Sequence, residues 1–277
     1  MYLEYWQLAA KPFEPMPADT AFYYPGESAE GALSKLLYAV REGRGAAALA
    51  GPSGVGKTLL VNRLTRQLGA EEEPATVIHL VFPEMSSRDL LAYLAERLGA
   101  PATDSHAPGS IEESVRRLEA LADANAGRKQ RPVVVIDEAH LLEDCGALET
   151  LRLVTNFRSG GKPAFTLLLV GQMGLLSAVG RRPTLDERLD VKTLLRGFTA
   201  EETGAYIRHR LLAAGAEREL FTGEGLQQAF ALTGGYARRI DRLCDLALVV
   251  GFAERKPEIG AAELESVHRE LVALGAP

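Results

Sequence analysis

Four short, continuously apolar runs stand out in the first two thirds of the chain. They are mostly rich in Val, Leu or Ile, and turn-forming residues flank them. Continuous apolarity, in place of alternation, indicates strands that are buried on both faces, as in a parallel sheet. The predicted strands are Ala46–Ala50, Val77–Phe82, Val133–Ile136 and Thr166–Val170.

Three segments between these runs have apolar residues at spacings of three and four, which predicts amphipathic helices. They are Thr58–Leu68, Ser87–Leu98 and Ile111–Ala124. Because strands and helices alternate along the chain, we expect an α/β fold with right-handed crossovers, in which helices flank a parallel sheet.

The pattern changes after about Arg196, where helices follow one another without strands. Thr199 and Glu202 have the spacing of a capping box, which predicts a helix that runs through Leu212. Further helices are predicted at Gly223–Leu232, Ala237–Val250 and Ala261–Leu274. We therefore expect two domains, residues 1–197 with an N-terminal segment and the α/β core, and residues 198–277 as a small all-α lid.

A glycine-rich loop lies between the first predicted strand and the first predicted helix. Residues 51–58 read GPSGVGKT and match the phosphate-binding pattern G-x-x-x-x-G-K-[ST]. Such a loop turns tightly and brings backbone N–H groups, with the partial positive charge of a helix N-terminus, onto the β-phosphate. Lys57 would bridge the β- and γ-phosphates of ATP, and the Thr58 hydroxyl would bind Mg²⁺. The residues predicted to contact the nucleotide are Gly51, Pro52, Ser53, Gly54, Val55, Gly56, Lys57, Thr58 and Leu59.

Two adjacent carboxylates, Asp137 and Glu138, come directly after the predicted strand Val133–Ile136. Ligands of parallel sheets gather at the carboxyl ends of the strands, and we expect this strand to neighbour the one before the glycine-rich loop. Asp137 would then hold Mg²⁺ through its water shell, and Glu138 would orient and polarise the attacking water. The alternative is that the pair serves only as N-terminal acids of the next helix. An acid dedicated to hydrolysis favours an ATPase over a kinase, which must shield the phosphate from water.

His140 completes the tetrad Asp-Glu-Ala-His, which also occurs in a helicase superfamily. Those helicases need a second RecA-like domain, for which 277 residues leave no room. We therefore expect His140 to have a packing or coupling role.

Several polar residues are candidates for contact with the γ-phosphate. Gln172 follows the predicted strand Thr166–Val170 and would lie beside the attacking water. Arg238 stands near a helix N-terminus, which is electrostatically unfavourable unless the guanidinium points at phosphate. The alternative for Gln172 is a polar residue that only ends the strand, and the alternative for Arg238 is a solvated arginine.

Arginines also cluster before a possible fifth strand, Val191–Leu195. Guanidinium groups stabilise the charge that develops on a transferring phosphoryl group. Arg188 is our candidate for a finger supplied to a neighbouring subunit, and Arg181 and Arg182 are the alternatives. A finger that acts in trans would make hydrolysis depend on a ring or filament of this chain.

Together these motifs resemble those of AAA+ ATPases: a P-loop, an acidic pair, a sensor 1 residue (Gln172), and a helical lid with a sensor 2 arginine (Arg238). More closely, the chain resembles the ExeA/GspA family of secretion-pathway ATPases over nearly all of its length. The similar segments are Tyr2-Leu3, Lys11-Pro12-Phe13, Phe22-Tyr23-Tyr24, Leu36-Leu37-Tyr38, Arg41–Gly45, Leu169–Gln172, Tyr206–Leu211 and Arg238–Leu248.

The resemblance implies that the segment before the P-loop helps to hold the adenine, with Phe22 and Tyr24 near the base; simple core packing is the alternative. Ala237 stands where the family usually has a proline before the sensor 2 arginine. Larger family members continue into a transmembrane segment and a peptidoglycan-binding domain, and we do not expect that wall-binding function of this chain.

Composition adds the cellular context. Hydrophobic residues make up 47% of the chain and charged residues 25%, with a net charge of −6, which is ordinary for a soluble globular protein. The N-terminus has no basic leader followed by an apolar run, and the apolar windows are shorter than the roughly 20 residues that cross a bilayer. We therefore expect a cytoplasmic protein without a transmembrane segment.

Three functions follow as expectations, of which the third is a nucleotide-gated scaffold with negligible turnover. The first is an ATPase coupled to oligomer assembly and to remodelling of protein partners in a secretion or cell-envelope system. The second is a DNA-binding ATPase that regulates transposition or replication, because helper ATPases of the TniB and TnsC type share the core and bind DNA. Double-stranded DNA is then the partner.

Overall fold

The computed structural model describes residues 1–14, 20–81, 85–100, 109–125, 132–143 and 146–275. Phe82, the predicted end of the second strand, lies outside these residues. The chain forms two compact units, one of residues 1–30, 53–56 and 196–277 and the other of residues 31–52 and 57–195. Residues 1–30, which the sequence pattern places with the core domain, belong to the same compact unit as the C-terminal helices. The boundary at residue 197 stays a prediction.

The second unit contains a five-stranded, all-parallel sheet. Its strands are β1 (Ala46–Ala50), β2 (Val77–Leu80), β3 (Val133–Ile136), β6 (Thr166–Gly171) and β7 (Leu189–Leu194). The strand order is β2-β3-β6-β1-β7. A small antiparallel hairpin, β4 (Arg158–Ser159) and β5 (Lys162–Pro163), precedes β6.

The predicted parallel α/β sheet is confirmed, but one neighbour relationship is wrong. The strand before the acidic pair does not adjoin the strand before the glycine-rich loop, because β6 pairs with both of them. The end of β6 therefore lies between the loop that follows β1 and the carboxylates that follow β3.

Helices cover the faces of this sheet. They are α2 (Glu27–Arg41, which begins in the first unit), α3 (Lys57–Gly69), α4 (Ser87–Arg97), α5 (Ile111–Ala124), α6 (Ala147–Val154), α7 (Gly174–Gly180) and α8 (Pro183–Asp186). Serine hydroxyls cap two of them: Ser86 accepts from the Asp89 N–H, and Ser110 accepts from the Glu113 N–H. Such caps satisfy N–H groups that have no partner inside the helix. A 3₁₀ turn, Ala139–Glu143, follows β3 after Asp137 and Glu138.

The first unit is helical. It contains α1 (Tyr2–Trp6), a 3₁₀ turn (Thr20–Phe22), α9 (Ala200–Ala213), α10 (Gly223–Thr233), α11 (Ala237–Ala253) and α12 (Ala261–Gly275). The capping box that the sequence predicts is present, with the Thr199 and Glu202 side chains bonded reciprocally to backbone N–H groups. Trp6 is buried against α11 and donates its indole N–H to the Leu248 carbonyl at 2.8 Å. A lid function for these helices stays a prediction.

Among the described residues, no helix combines the length and apolarity needed to cross a bilayer. The expectation of a cytoplasmic location stays a prediction.

Candidate nucleotide site

The glycine-rich loop joins the end of β1 to the start of α3. Gly54 and Gly56 have φ values of +80° and +102°, a region that favours glycine over any residue with a Cβ. The loop begins against the end of β6, because the Gly51 N–H donates to the Gly171 carbonyl at 3.2 Å. This backbone has the form that a phosphate-binding loop requires.

Lys57, at the first position of α3, is buried with 7% of its surface exposed. Its Nζ donates to the carbonyls of Gly51 at 2.9 Å and Pro52 at 3.0 Å, so the first residues of the loop bind the ammonium group of the lysine that follows the loop. A buried charge requires partners of this kind. An ammonium group held inside a loop of glycines fits a phosphate chain, whose oxygens are stronger acceptors than carbonyls.

At its tip, the loop meets the start of α11 within the first unit. The Arg238 N–H donates to the Gly54 carbonyl at 3.0 Å. The Tyr236 side chain at the helix N-cap makes no capping hydrogen bond, so the loop carbonyl serves one of the free N–H groups of the first turn. The Arg238 side chain is exposed.

Asp137 follows β3 and is buried with 5% of its surface exposed. Its Oδ2 accepts a hydrogen bond from the Thr58 hydroxyl at 3.3 Å and lies 3.7 Å from Nε2 of His79. Burial alone would raise the pKa of Asp137. The contacts with His79, the Glu138 N–H and Thr58 outweigh burial and hold the pKa of this carboxyl below its ordinary value.

The Thr58 hydroxyl and the Asp137 carboxylate provide oxygen donors, which Mg²⁺ prefers. In the described ranges, no group of three or more His, Cys, Asp or Glu side chains could enclose a metal ion. Two oxygen donors fit a magnesium ion, which usually keeps several waters and binds phosphate oxygens of a substrate.

Glu138 adopts a left-handed backbone conformation, with φ of +48°. This conformation is uncommon for a residue with a side chain, and such strain concentrates at functional sites. The carboxylate Oε2 lies 3.3 Å from Nδ1 of His140, and 44% of the side chain is exposed. Gln172, after the end of β6, has an exposed side chain, and its backbone N–H donates to the same Nδ1 at 3.5 Å.

The remaining predicted residues are spread over both units. The Phe22 ring is 8% exposed, and the Arg210 guanidinium lies over it at 5.5 Å. Tyr24 is half-buried and contacts the ring of Phe198 edge-on at 5.5 Å. Arg188 lies half-buried in the turn before β7. Their roles in binding and catalysis stay predictions.

The sequence analysis did not single out His79, which faces Asp137 from the end of β2. The only signal was its place as a polar residue near the end of an apolar strand. Nothing in the local pattern shows that β2 pairs with β3, which is what brings the imidazole to the carboxylate.

Comparison with known proteins identifies the family. A family model described as an AAA domain matches residues 40–179. General secretion pathway protein A of Aeromonas hydrophila is 34% identical over 263 residues, which are 94% of this chain and 46% of that protein. The chain thus spans less than half the length of this relative. The likeness confirms the predicted resemblance to ExeA/GspA proteins.

Solved structures share the fold. Drosophila ORC bound to DNA matches with a TM-score of 0.70 at 17% identity, over 97% of this chain and 66% of that one. The Aeropyrum pernix ORC1 protein in complex with DNA matches with a TM-score of 0.66 at 18% identity, over 92% and 68%. The Thermotoga maritima RuvB Holliday junction branch migration motor matches with a TM-score of 0.60 at 19% identity, over 94% and 73%. At these identities the likeness establishes the fold alone. With the family match and the loop geometry, it confirms the predicted class, and the chain belongs to the AAA domain family of P-loop ATPases.

Proposed function

We propose that this chain binds ATP with Mg²⁺ at residues 51–59 and hydrolyses it with Glu138 as the group that activates water. The observation that carries the proposal is the hydrogen bond between Thr58 and Asp137. These residues follow two different strands, and they meet beside a glycine-rich loop that encloses a buried lysine. A hydroxyl, a carboxylate and an ammonium group beside one glycine-rich loop support a site for a phosphate chain and its cation.

Each polar group has a separate task in this proposal. Lys57 would exchange its bonds to the Gly51 and Pro52 carbonyls for bonds to phosphate oxygens, and Thr58 and Asp137 would hold Mg²⁺. When bound, the ion supplies charge neutralisation of the phosphate oxygens. Glu138 accepts a proton from the attacking water, and Gln172 orients that water at the end of β6. Arg238 contacts the γ-phosphate as sensor 2, and Phe22 and Tyr24 lie towards the base.

Arg188 is the arginine that we assign as the finger. In the described part of the chain, its side chain makes no hydrogen bond or ion pair, whereas Arg182 donates to the Ala178 carbonyl at 3.0 Å. Arg181 also has an interaction within the chain. A guanidinium that has no partner among the described residues of its own subunit is available to a neighbouring one, which supports a ring or filament.

A pair of variants tests the catalytic proposal. Glu138→Gln keeps the shape of the side chain but removes the base, so ATP hydrolysis should fall by about 10²–10⁴-fold while ATP affinity is unchanged. Lys57→Ala should weaken ATP binding itself. Glu187→Gln, at an exposed position of the same unit, is the matched control and should hydrolyse ATP normally. Unchanged hydrolysis by Glu138→Gln would refute the assignment.

For the cellular role, we propose an ATPase coupled to its own assembly and to remodelling of protein partners in a secretion or cell-envelope system, acting from the cytoplasm. The support is the likeness to General secretion pathway protein A over 94% of this chain. The alternative is a DNA-dependent ATPase, for which the support is that solved proteins of the same fold are bound to DNA.

A duplex-DNA titration at low and high salt separates these roles. Binding that neutralises phosphates weakens steeply with salt. The secretion role predicts no tight binding at low salt and no change in the rate of ATP hydrolysis when duplex is added. Tight, salt-sensitive binding that stimulates hydrolysis would overturn it in favour of the alternative.

A further inference from the structure

His140 is placed to act on Glu138 from the 3₁₀ turn that follows β3. Its Nδ1 lies 3.3 Å from the Glu138 carboxylate Oε2, and its side chain is 21% exposed. Although much of the Glu138 side chain is accessible, Oε2 itself is buried and accepts no hydrogen bond from any described residue. A buried carboxylate oxygen without a partner is costly, and Nδ1 of His140 is a donor-capable atom at 3.3 Å from it.

The same nitrogen has a second neighbour. The Gln172 N–H, at the end of β6, donates to Nδ1 at 3.5 Å. This bond requires a lone pair on Nδ1, whereas a hydrogen bond to the Glu138 carboxylate requires a proton there. A neutral imidazole carries its proton on one nitrogen only, so Nδ1 serves one of these partners at a time.

The turn that carries His140 packs closely against the end of β6. A Cβ built on Gly171 would lie 3.2 Å from the His140 backbone nitrogen and 3.2 Å from the Leu175 side chain. The turn that carries His140 therefore rests directly on the backbone of β6. The imidazole accordingly lies within reach of both the Glu138 carboxylate and the residue that follows the strand.

We propose that His140 is a positioning residue that links Glu138 to the end of β6. With Nδ1 protonated, the ring donates to Oε2 and sets the orientation of the carboxylate. With Nε2 protonated, Nδ1 accepts from the Gln172 N–H and the carboxylate is released. The inference rests on the proposed role of Glu138 as the base.

Three substitutions at His140 test which atom matters. His140→Ala should lower the single-turnover hydrolysis rate about tenfold at saturating ATP, because the base loses its orientation, and should leave the dissociation constant for ATP unchanged. His140→Asn places an amide near the position of Nδ1 and should restore most of the rate. His140→Gln places its amide near Nε2 and should be as slow as the alanine variant.

Combination with Glu138→Gln separates positioning from a general structural effect. If His140 acts through Glu138, His140→Ala adds no further loss in the Glu138→Gln background. Additive losses, a normal rate for His140→Ala, or an asparagine variant as slow as alanine would each overturn the inference. If Glu138→Gln itself hydrolyses ATP normally, the proposed catalytic role fails, and that outcome is distinct from the others.

Nitrogen-15 spectra of histidine-labelled protein give a readout that packing alone would not move. The chain has five histidines, and the His140 resonances are assigned from the His140→Gln spectrum. In spectra of the neutral imidazole, Glu138→Ala should shift the ring towards the tautomer with an unprotonated Nδ1, because the carboxylate acceptor is gone. An identical His140 tautomer in both proteins would contradict the proposal.

Discussion

The Arg238 backbone N–H donates a hydrogen bond to the carbonyl of Gly54 at 3.0 Å, although the two residues are far apart in the sequence. The contact places the start of α11 at the tip of the glycine-rich loop. A Cβ on Gly54 would lie 3.0 Å from the Cβ of Arg238, closer than ordinary van der Waals contact, so the loop and the helix approach each other at a point where only glycine fits without displacement.

Gly54→Ala should therefore weaken nucleotide binding and lower stability. The residue has φ of +80°, where an added Cβ costs about 1–2 kcal/mol before any clash is counted. Thermal unfolding and titration with a fluorescent ATP analogue measure the two effects. Gly31→Ala is the matched control: Gly31 is exposed within α2 and its Cβ would meet nothing within 4 Å, so this change should stabilise the protein by about 0.5–1 kcal/mol. An unchanged affinity for the ATP analogue in Gly54→Ala would contradict the inference that only glycine fits between the loop and α11.

Thr58→Ala should raise the Mg²⁺ concentration that half-maximal ATP hydrolysis requires. The change removes both a donor oxygen for the ion and the hydroxyl that bonds to Asp137 at 3.3 Å. A lost hydrogen bond to a charged group is worth about 1.5–3 kcal/mol, so the shift should be about tenfold or more. The assay is a magnesium titration of phosphate release.

Thr65→Ala on the same helix is the control for that experiment. The Thr65 hydroxyl donates to the Val61 carbonyl one turn earlier. The Mg²⁺ concentration that half-maximal ATP hydrolysis requires should be the same for Thr65→Ala as for the unmodified protein. Equal shifts in both variants would show that loss of helix stability, and not loss of a ligand, explains the effect.

Much of the sheet was predictable because burial on both faces leaves a local signature. The predicted limits of β1 and β3 agree with the structure at both ends. The N-terminal segment was not predictable in this way. Trp6 is buried through a bond to Leu248, and a contact over such a separation leaves no period or motif in the local sequence.

In the candidate site, too, some features are predictable from the local sequence and others depend on the fold. The loop at residues 51–58 and the acidic pair are contiguous motifs, so their residue types and order indicate the chemistry. The approach of His79 to Asp137 depends on strand pairing, and the position of β6 between β1 and β3 is a property of topology. The left-handed backbone of Glu138 is set by its surroundings, since glutamate itself disfavours that conformation.

Asp241 should make the stability of the protein depend on pH. Burial raises the pKa of this carboxyl to about 6; the Arg210 guanidinium and the Tyr206 hydroxyl oppose the rise, and the Asp245 charge adds to it. A carboxyl whose pKa is higher in the folded protein stabilises it most when protonated. The contribution is complete below about pH 4, the ordinary value for aspartate, and is lost as the pH rises through 6.

Asp241→Asn should remove this dependence while it keeps an acceptor for the Tyr206 hydroxyl, which donates to Oδ1 at 2.6 Å. From pH 4 to 7, the free energy of unfolding of the unmodified protein should fall relative to the variant by on the order of 2 kcal/mol. Urea unfolding at several pH values measures the difference. Asp123→Asn, at an exposed position on α5, should show the same pH dependence of the free energy of unfolding as the unmodified protein. The same dependence in Asp241→Asn would refute the role assigned to Asp241.

Arg188→Ala should lower ATP hydrolysis without changing ATP affinity, because the proposed finger stabilises charge that develops only in the transition state. Loss of a group of this kind costs about 10²–10³-fold in rate.

Mixing of variant subunits tests whether Arg188 acts in trans. Arg188→Ala subunits retain Glu138, and Glu138→Gln subunits retain the arginine. Where the first type supplies the nucleotide site and the second supplies Arg188, one functional site forms. Equimolar mixtures should therefore hydrolyse ATP faster than either variant alone, whereas mixtures of Arg188→Ala with an Arg188→Ala/Glu138→Gln double variant should not. A mixture no faster than the mean of its components would place the arginine in its own subunit's site or outside catalysis.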